Sequence, residues 1–335
     1  MVARLGLQID APLPVAKMLE VVRAANERGL EIVWFHEGQD WDAFTYLSAV
    51  AVQTERIKLG TAVISAFTRS PGLVGLGSAT LHHVSNGRFV LGIGSSHQRL
   101  IEVVHQMPYD KPITRTREYV EIVRKLLAGE TVTYHGKACG VDGLRIQSAG
   151  APFEVPIYMG VVGTHMARIA GQIADGVILH LASKDHVGRI RAAIAEGARE
   201  VGRDPSAIDV SSFIMCVPHR DEVMARRDII DAVAFYGWLE RYRNHYDELG
   251  FHEQAAGFKE AWDRGDSRAA AAHVTEDMLD QLPVAAGFDR TRERVDEFRS
   301  VGIDLPILYP FPPRENYDET LYVQSIIDAM DGATR

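Results

Sequence analysis

The sequence predicts an α/β protein, a closed (β/α)8 TIM barrel, and two observations carry that prediction. Eight apolar runs of strand length alternate with helix-length segments along the 335 residues, and glycines stand just past several of the helical segments. Such alternation is the sequence form of repeated βα units around a parallel sheet.

The eight runs are residues 4–9, 31–35, 57–63, 88–93, 155–159, 176–181, 208–217 and 305–309. Between them apolar residues recur with a helical period. Val15, Met18, Leu19 and Val22 do so in the first connecting segment, and Met166, Ile169, Ala170 and Ile173 in the fifth. Gly29, Gly202 and Gly302 end three such segments, where a left-handed C-cap conformation favours glycine. Eight units close on themselves, and an open doubly wound sheet is the competing architecture. Because α/β barrels reach this length as one unit, a single domain over residues 1–335 is expected.

Two connections exceed ordinary loop length: residues 95–152 after the fourth run and 218–287 after the seventh. They read as insertions. The first is predicted to hold a helix over 114–127 and a hairpin over 131–143. The second is helical and rich in aromatics, among them Phe235, Tyr236, Trp238, Tyr242, Tyr246 and Trp262. Insertions on the carboxyl side of a barrel form lids or pocket walls, while a self-packing or dimer-packing helical pair is the plainer reading.

With hydrophobic residues at 46% and charged residues at 24%, the chain is able to bury a large core. A net charge of −9 without any basic run argues against a nucleic-acid partner, since such binding depends on clustered Lys and Arg. No stretch approaches the roughly 20 apolar residues of a membrane span, and residues 1–10 match neither a secretory signal nor an anchor. No membrane partner and a cytoplasmic location are therefore expected. Cys139 and Cys216 are too few for a disulfide framework and lack metal-ligand spacing, which suits a reducing compartment.

Barrel active sites are assembled at strand carboxyl ends, which here offer Gln8, His36, Glu37, Ser65, Ser95, Ser96, His97, Gly160 to Gly163, His180 and Tyr309. Three histidines would share one mouth, although each alone reads equally as a hydrogen-bonded structural residue. Residues 160–164, Gly-Val-Val-Gly-Thr, follow a strand and open a helix, so their backbone N–H groups can meet an anion. The same glycines also serve a tight turn. Gly92 and Gly94 do not make a dinucleotide fingerprint, because His97 stands where the third glycine belongs. Metal hydrolysis finds no support: the first strand ends without paired histidines, no His-Glu-x-x-His occurs, and His82 and His83 are helical neighbours pointing about 100° apart.

Four runs carry a family resemblance: LGTAV with TRSP (59–63 and 68–71), SNGRFVLGIG (85–94), GTHMARIAGQIADGVIL (163–179) and RERVDEFRSVGIDLPIL (292–308). Together they resemble the luciferase-like flavin and deazaflavin oxidoreductases, which are (β/α)8 barrels. The chain is most similar to the deazaflavin branch that includes methylenetetrahydromethanopterin reductase and the deazaflavin glucose-6-phosphate dehydrogenases. That resemblance implies a non-proline cis peptide at Ala62-Val63 backing a flat ring system. It places Ala62, Val63, Ser65, Gly94, Ser95 and Ser96 along the ring and ribityl chain, and Gly160, Val161, Val162, Gly163 and Thr164 around the phosphate. It also implies coenzyme F420 as cofactor, with FMN as the alternative, hydride transfer to or from a small organic substrate, and a homodimer.

Two departures stand beside the matches. The second strand of that branch often ends in Asp-His, whereas here Phe35 precedes His36. In the sugar-phosphate dehydrogenases a glutamate follows the fourth strand's glycines, where this chain has His97, so that activity is not expected. His36, His97 and His180 are then the candidate catalytic residues, as imidazoles that titrate near neutral pH and can move the proton that accompanies a hydride. His36 ranks first. FMN-dependent monooxygenation and flavin binding without turnover are the competing functions, since fold does not dictate function.

Overall fold

Eight parallel strands pair into a closed ring in the computed structural model, which describes residues 4–9, 13–38, 41–147, 150–218, 221–311 and 318–334. Residues 1–3 and 10, part of the segment read above for a leader, lie outside the described residues. The strands are β1 (Gly6–Ile9), β2 (Ile32–Phe35), β3 (Lys58–Thr61), β4 (Phe89–Gly94), β5 (Ile157–Val161), β6 (Gly176–Leu179), β7 (Asp209–Val217) and β8 (Leu305–Pro310). Each pairs with the next, and the ring closes where Gly6 and Leu7 of β1 lie opposite Ile307 and Leu308 of β8. An open sheet is thereby excluded.

The strands are apolar on both faces because both are buried. Leu7, Val33, Leu59, Leu91, Ile157 and Val177 point outward against the helices. Ile32, Trp34, Val90, Ile178, Phe213 and Ile307 belong to the inner cluster. Trp34 is fully buried inside the ring, and a Cβ on Gly60 of β3 would come within 2.2 Å of its rings, so glycine there is what lets the indole lie flat across the barrel. Gly29, Gly202 and Gly302 adopt φ of 75°, 73° and 107°, the left-handed C-caps the sequence predicts.

The amino end of the barrel is closed by charge. Arg4 bridges Glu31 and Asp209 at 2.6 Å each, and Asp209 also accepts the Tyr158 hydroxyl at 2.6 Å. Side chains locked in this way leave the carboxyl end for ligands.

Residues 95–156 contain a π-helical turn (Leu100–Val104), a helix (Pro112–Leu127) and an antiparallel hairpin (Val132–His135 with Gly140–Leu144). The helix begins two residues before the predicted start, because Pro112 suits a first helical turn. The Glu118 carboxylate accepts the N–H groups of Lys137, Ala138 and Cys139 at 2.7, 2.9 and 3.1 Å and so ties the hairpin to that helix. After β7 come the helices Glu222–Tyr236, Glu240–Glu248 and His252–Asp263, then a short strand (Val284–Ala286) that pairs with β7. The third predicted run is not one strand. It breaks after Thr61, and Ile64–Ser65 pairs separately with β4.

Candidate active site

The break in β3 shapes the barrel mouth. Thr61 Oγ1 donates to the Gly92 carbonyl at 3.0 Å and accepts the Gly92 N–H at 2.9 Å, clamping β3 against β4. A Cβ on Gly92 would lie 1.9 Å from the Thr61 carbonyl oxygen, so the approach requires glycine. The Ala62-Val63 peptide that follows is cis, as the resemblance implies. Val63 then leans over the next two strands. A Cβ on Gly94 would sit 2.7 Å from Val63 Cγ2, and one on Gly160 would sit 3.5 Å from Val63 Cγ1. Val63, Gly94 and Gly160 thus form a ledge across β3, β4 and β5 that carries one short side chain.

The serines predicted for this site border the ledge. Ser65 is buried and its Oγ accepts the Phe67 N–H at 3.2 Å. Ser95 is buried, and Ser96 takes a left-handed φ of 57°. Its carbonyl accepts the Tyr109 hydroxyl at 3.3 Å, while the Tyr109 ring stacks on Phe67 at 4.8 Å. Tyr109 lies in a connecting segment and gave no sequence signal.

At the end of β5 the turn opens the helix Thr164–Ile173. Asp42, Ser70 and Ser183 cap the helices that follow them, but no side chain caps this one at Gly163, and its first turn has no acidic residue. Val161 packs outward into the helix layer, so only its backbone faces the mouth. The Val162 carbonyl is taken by His186, whose Nε2 lies 2.8 Å away, and Arg189 Nη2 lies 3.2 Å from His186 Nδ1. Because a carbonyl only accepts and a guanidinium only donates, this imidazole carries its proton on Nε2. Sequence reasoning missed His186. Its one signal is its place in the first turn of a helix, three residues after the capping Ser183.

The three predicted histidines all stand at strand carboxyl ends, where His36 acts electrostatically on both His97 and His180, but they are not equivalent. His36 is exposed at the end of β2, with Gly38 leaving room for its ring, since a Cβ there would sit 3.0 Å from the imidazole. Its neighbour Glu37, a strand-end candidate, is held by Arg69 Nε at 3.0 and 3.1 Å and acts as an anchor. His97 is half-buried, and its Nδ1 accepts the Leu100 N–H at 3.2 Å, leaving Nε2 for a ligand. Desolvation lowers its pKa, and the fields of His36 and Arg99 lower it further.

His180 is buried, and neither ring nitrogen has a hydrogen-bond partner among the described residues. Tyr236, Tyr242, Phe213 and Tyr309 surround it at ring-centroid distances of 4.4, 5.4, 5.5 and 6.0 Å. Burial first, then the fields of His245 and His36, push its pKa down to about 3. The expectation that His180 titrates near neutral pH is therefore corrected: the ring is neutral there and can only offer or accept a hydrogen bond. His245, also missed by sequence, reaches in from the helix Glu240–Glu248, its Nε2 3.1 Å from the Leu181 carbonyl. Burial lowers its pKa to about 4.

A ledge nearly bare of side chains, an uncapped turn beside it and histidines gathered above suit a flat heterocycle with an anionic tail and a small molecule on its open face. The pattern of the luciferase-like monooxygenase family matches residues 1–305. The chain belongs to that family. Among luciferase-like relatives, the 5,10-methylenetetrahydromethanopterin reductase of Methanolobus tindarius is 29% identical over 308 residues, covering 89% of this chain and 91% of its own. The coenzyme F420-dependent tetrahydromethanopterin reductase of Methanopyrus kandleri superposes with a TM-score of 0.82 at 24% identity, covering 98% of each chain. An F420-dependent secondary alcohol dehydrogenase, solved with an F420-acetone adduct, superposes with a TM-score of 0.77 at 19% identity over 99% of each. At those identities the two structures establish a shared luciferase-like fold.

Proposed function

We propose that this luciferase-like protein is a coenzyme F420-dependent oxidoreductase that transfers a hydride between the deazaflavin and a small organic substrate. The ledge of Val63, Gly94 and Gly160 carries the reading: with no Cβ on Gly94 to collide with Val63 Cγ2, Val63 packs down against β4 and β5 and offers a low surface on which a planar tricycle would rest. Ala62, Val63 and Gly94 would bear the ring, Ser65, Ser95 and Ser96 the ribityl chain, and Gly160 to Thr164 the phosphate. When bound, the deazaflavin would supply hydride exchange in place of oxygen chemistry, since carbon replaces the central-ring nitrogen that lets a reduced flavin pass single electrons to oxygen.

The chain's own residues divide the remaining work. His36, exposed beside the mouth, exchanges the accompanying proton with solvent. His97 presents Nε2 alone, and His180 presents a neutral ring. The aromatic segment after β7 excludes water above them. The same reading gives a cytoplasmic homodimer. It is supported by the free thiols of Cys139 and Cys216, by exposed Leu73 and Leu76 on the helix Pro71–Val84, and by the finding that no described helix is long and apolar enough to cross a membrane.

Fluorescence titration of the purified protein with coenzyme F420 and with FMN tests the cofactor, and hydride exchange across a panel of alcohols and carbonyls tests turnover. The expected result is tight F420 binding with substrate-dependent bleaching of its absorbance. Oxygen consumption with reduced FMN, and no F420 binding, would assign a monooxygenase instead.

A further inference from the structure

His180 is more than nine-tenths buried, yet both its nitrogens lack a partner among the described residues. A buried polar group left in that state is destabilising, a cost that Phe or Leu at this position would avoid. The four rings around it come from two sources. Phe213 and Tyr309 stand on β7 and β8, fixed by the barrel ladder, whereas Tyr236 and Tyr242 stand on helices of the segment after β7. That second pair therefore belongs to the inserted helices and not to the barrel ladder. Among the described residues, the charged or titratable groups that act on the His180 ring are His245 and His36.

We infer that His180 is the specificity determinant of the substrate site, and that the substrate is an uncharged alcohol or carbonyl compound with an apolar body, its oxygen hydrogen-bonded to this imidazole. The inference rests on the oxidoreductase reading and narrows its substrate class. A neutral imidazole has one N–H and one bare nitrogen, so it donates to a carbonyl oxygen and accepts from an alcohol O–H. One ring thereby serves both members of a carbonyl/alcohol couple. A carboxylate or phosphate entering the same place would lose its hydration with no cation among the described residues acting on that ring to replace it, which is unfavourable by far more than one hydrogen bond. The apolar edges of Phe213, Tyr236, Tyr242 and Tyr309 favour a hydrocarbon body instead.

The test uses full-length protein labelled with 15N-histidine, with and without coenzyme F420, and four probes of one shape: cyclohexanone, cyclohexanol, cyclohexanecarboxylate and cyclohexylammonium. Cyclohexanone and cyclohexanol are expected to shift the His180 ring nitrogens in opposite senses, as acceptor and as donor. The carboxylate is expected to bind at least about tenfold more weakly. His180→Phe should weaken ketone and alcohol binding by about three- to tenfold, with F420 affinity by fluorescence unchanged, and His180→Gln should recover part of the loss. Carboxylate or ammonium binding as tight as that of the ketone overturns the inference. So does failure of both ketone and alcohol to move the His180 signals, or indifference of their binding to His180→Phe. Wild-type protein that takes the ketone at His180 but never binds F420 would overturn the cofactor reading and leave this inference standing.

Discussion

The Arg99 guanidinium lies 5.2 Å from the centre of the Trp238 ring, so the segment leaving β4 touches the segment leaving β7 on the carboxyl side of the barrel. Trp238 in turn packs on Phe235, and Phe235 on Tyr236, which rests against His180. A continuous line of ring contacts therefore runs from an exposed cation to the buried imidazole.

Arg99→Ala removes the outer end of that line. A contact of this type contributes about 0.5–1 kcal/mol at an exposed site, so the melting temperature should hardly move. The looser cover should instead change kcat and KM together and red-shift the tryptophan emission. Unchanged emission and kinetics would mean that the two segments close independently.

His36→Ala tests the proton carrier. Cofactor affinity should persist, because His36 lies outside the ledge, while turnover should fall by about 10²–10⁴-fold. Wild-type turnover in this variant would remove His36 from the mechanism.

Gly94→Ala tests the ledge. The new methyl group would meet Val63 Cγ2 at 2.7 Å, and moving that side chain costs about 1–3 kcal/mol while filling the space beside the cis peptide. Affinity for coenzyme F420 should fall at least about tenfold while the protein stays folded. Gly188→Ala is the control. It lies in the helix Lys184–Glu200 with open space around a Cβ, so a gain of up to about 1 kcal/mol and unchanged affinity are expected. Equal loss of affinity in both variants would dissociate the ledge from the cofactor.

Acid should destabilise the fold before most carboxylates titrate. In the unfolded chain His245 takes up a proton near pH 6.5, but the buried ring resists until about pH 4, and His180 resists until about pH 3. Between those limits the unfolded state binds more protons. The stabilising contribution of the neutral rings is thus complete above pH 6.5 and shrinks as the pH falls. Urea midpoints should drop between pH 7 and pH 5 by an amount equivalent to about 1–2 kcal/mol per ring. His245→Gln, which keeps a donor for the Leu181 carbonyl, should flatten the slope, and an unaltered slope would place the acid sensitivity elsewhere.

Much of the architecture was legible from residue order. A parallel strand buried on both faces must be apolar throughout, so β6 and β8 stand out as short hydrophobic runs, and Gly29, Gly202 and Gly302 mark helix ends because few other residues accept a positive φ. The site was legible in part. Strand carboxyl ends pointed to His36, His97 and His180, and in the structure the field of His36 reaches the other two. What the sequence could not convey is environment: Glu37 proved an anchor for Arg69, and His97 spends one nitrogen on the Leu100 amide. His186 and His245 escaped notice because their partners, the carbonyls of Val162 and Leu181, are 24 and 64 residues away along the chain.

The sequence by itself determined the eight βα units, the glycines that end three of their helices, and the family to which the chain belongs. Those features follow from local periodicity and from steric rules that act on single residues. The tertiary structure alone decided that His180 is neutral, that Val63 leans across Gly94 and Gly160, and that two distant segments meet at Arg99 and Trp238. Protonation and contact depend on which groups surround a side chain in space, and those neighbours come from strands and helices far apart in the chain.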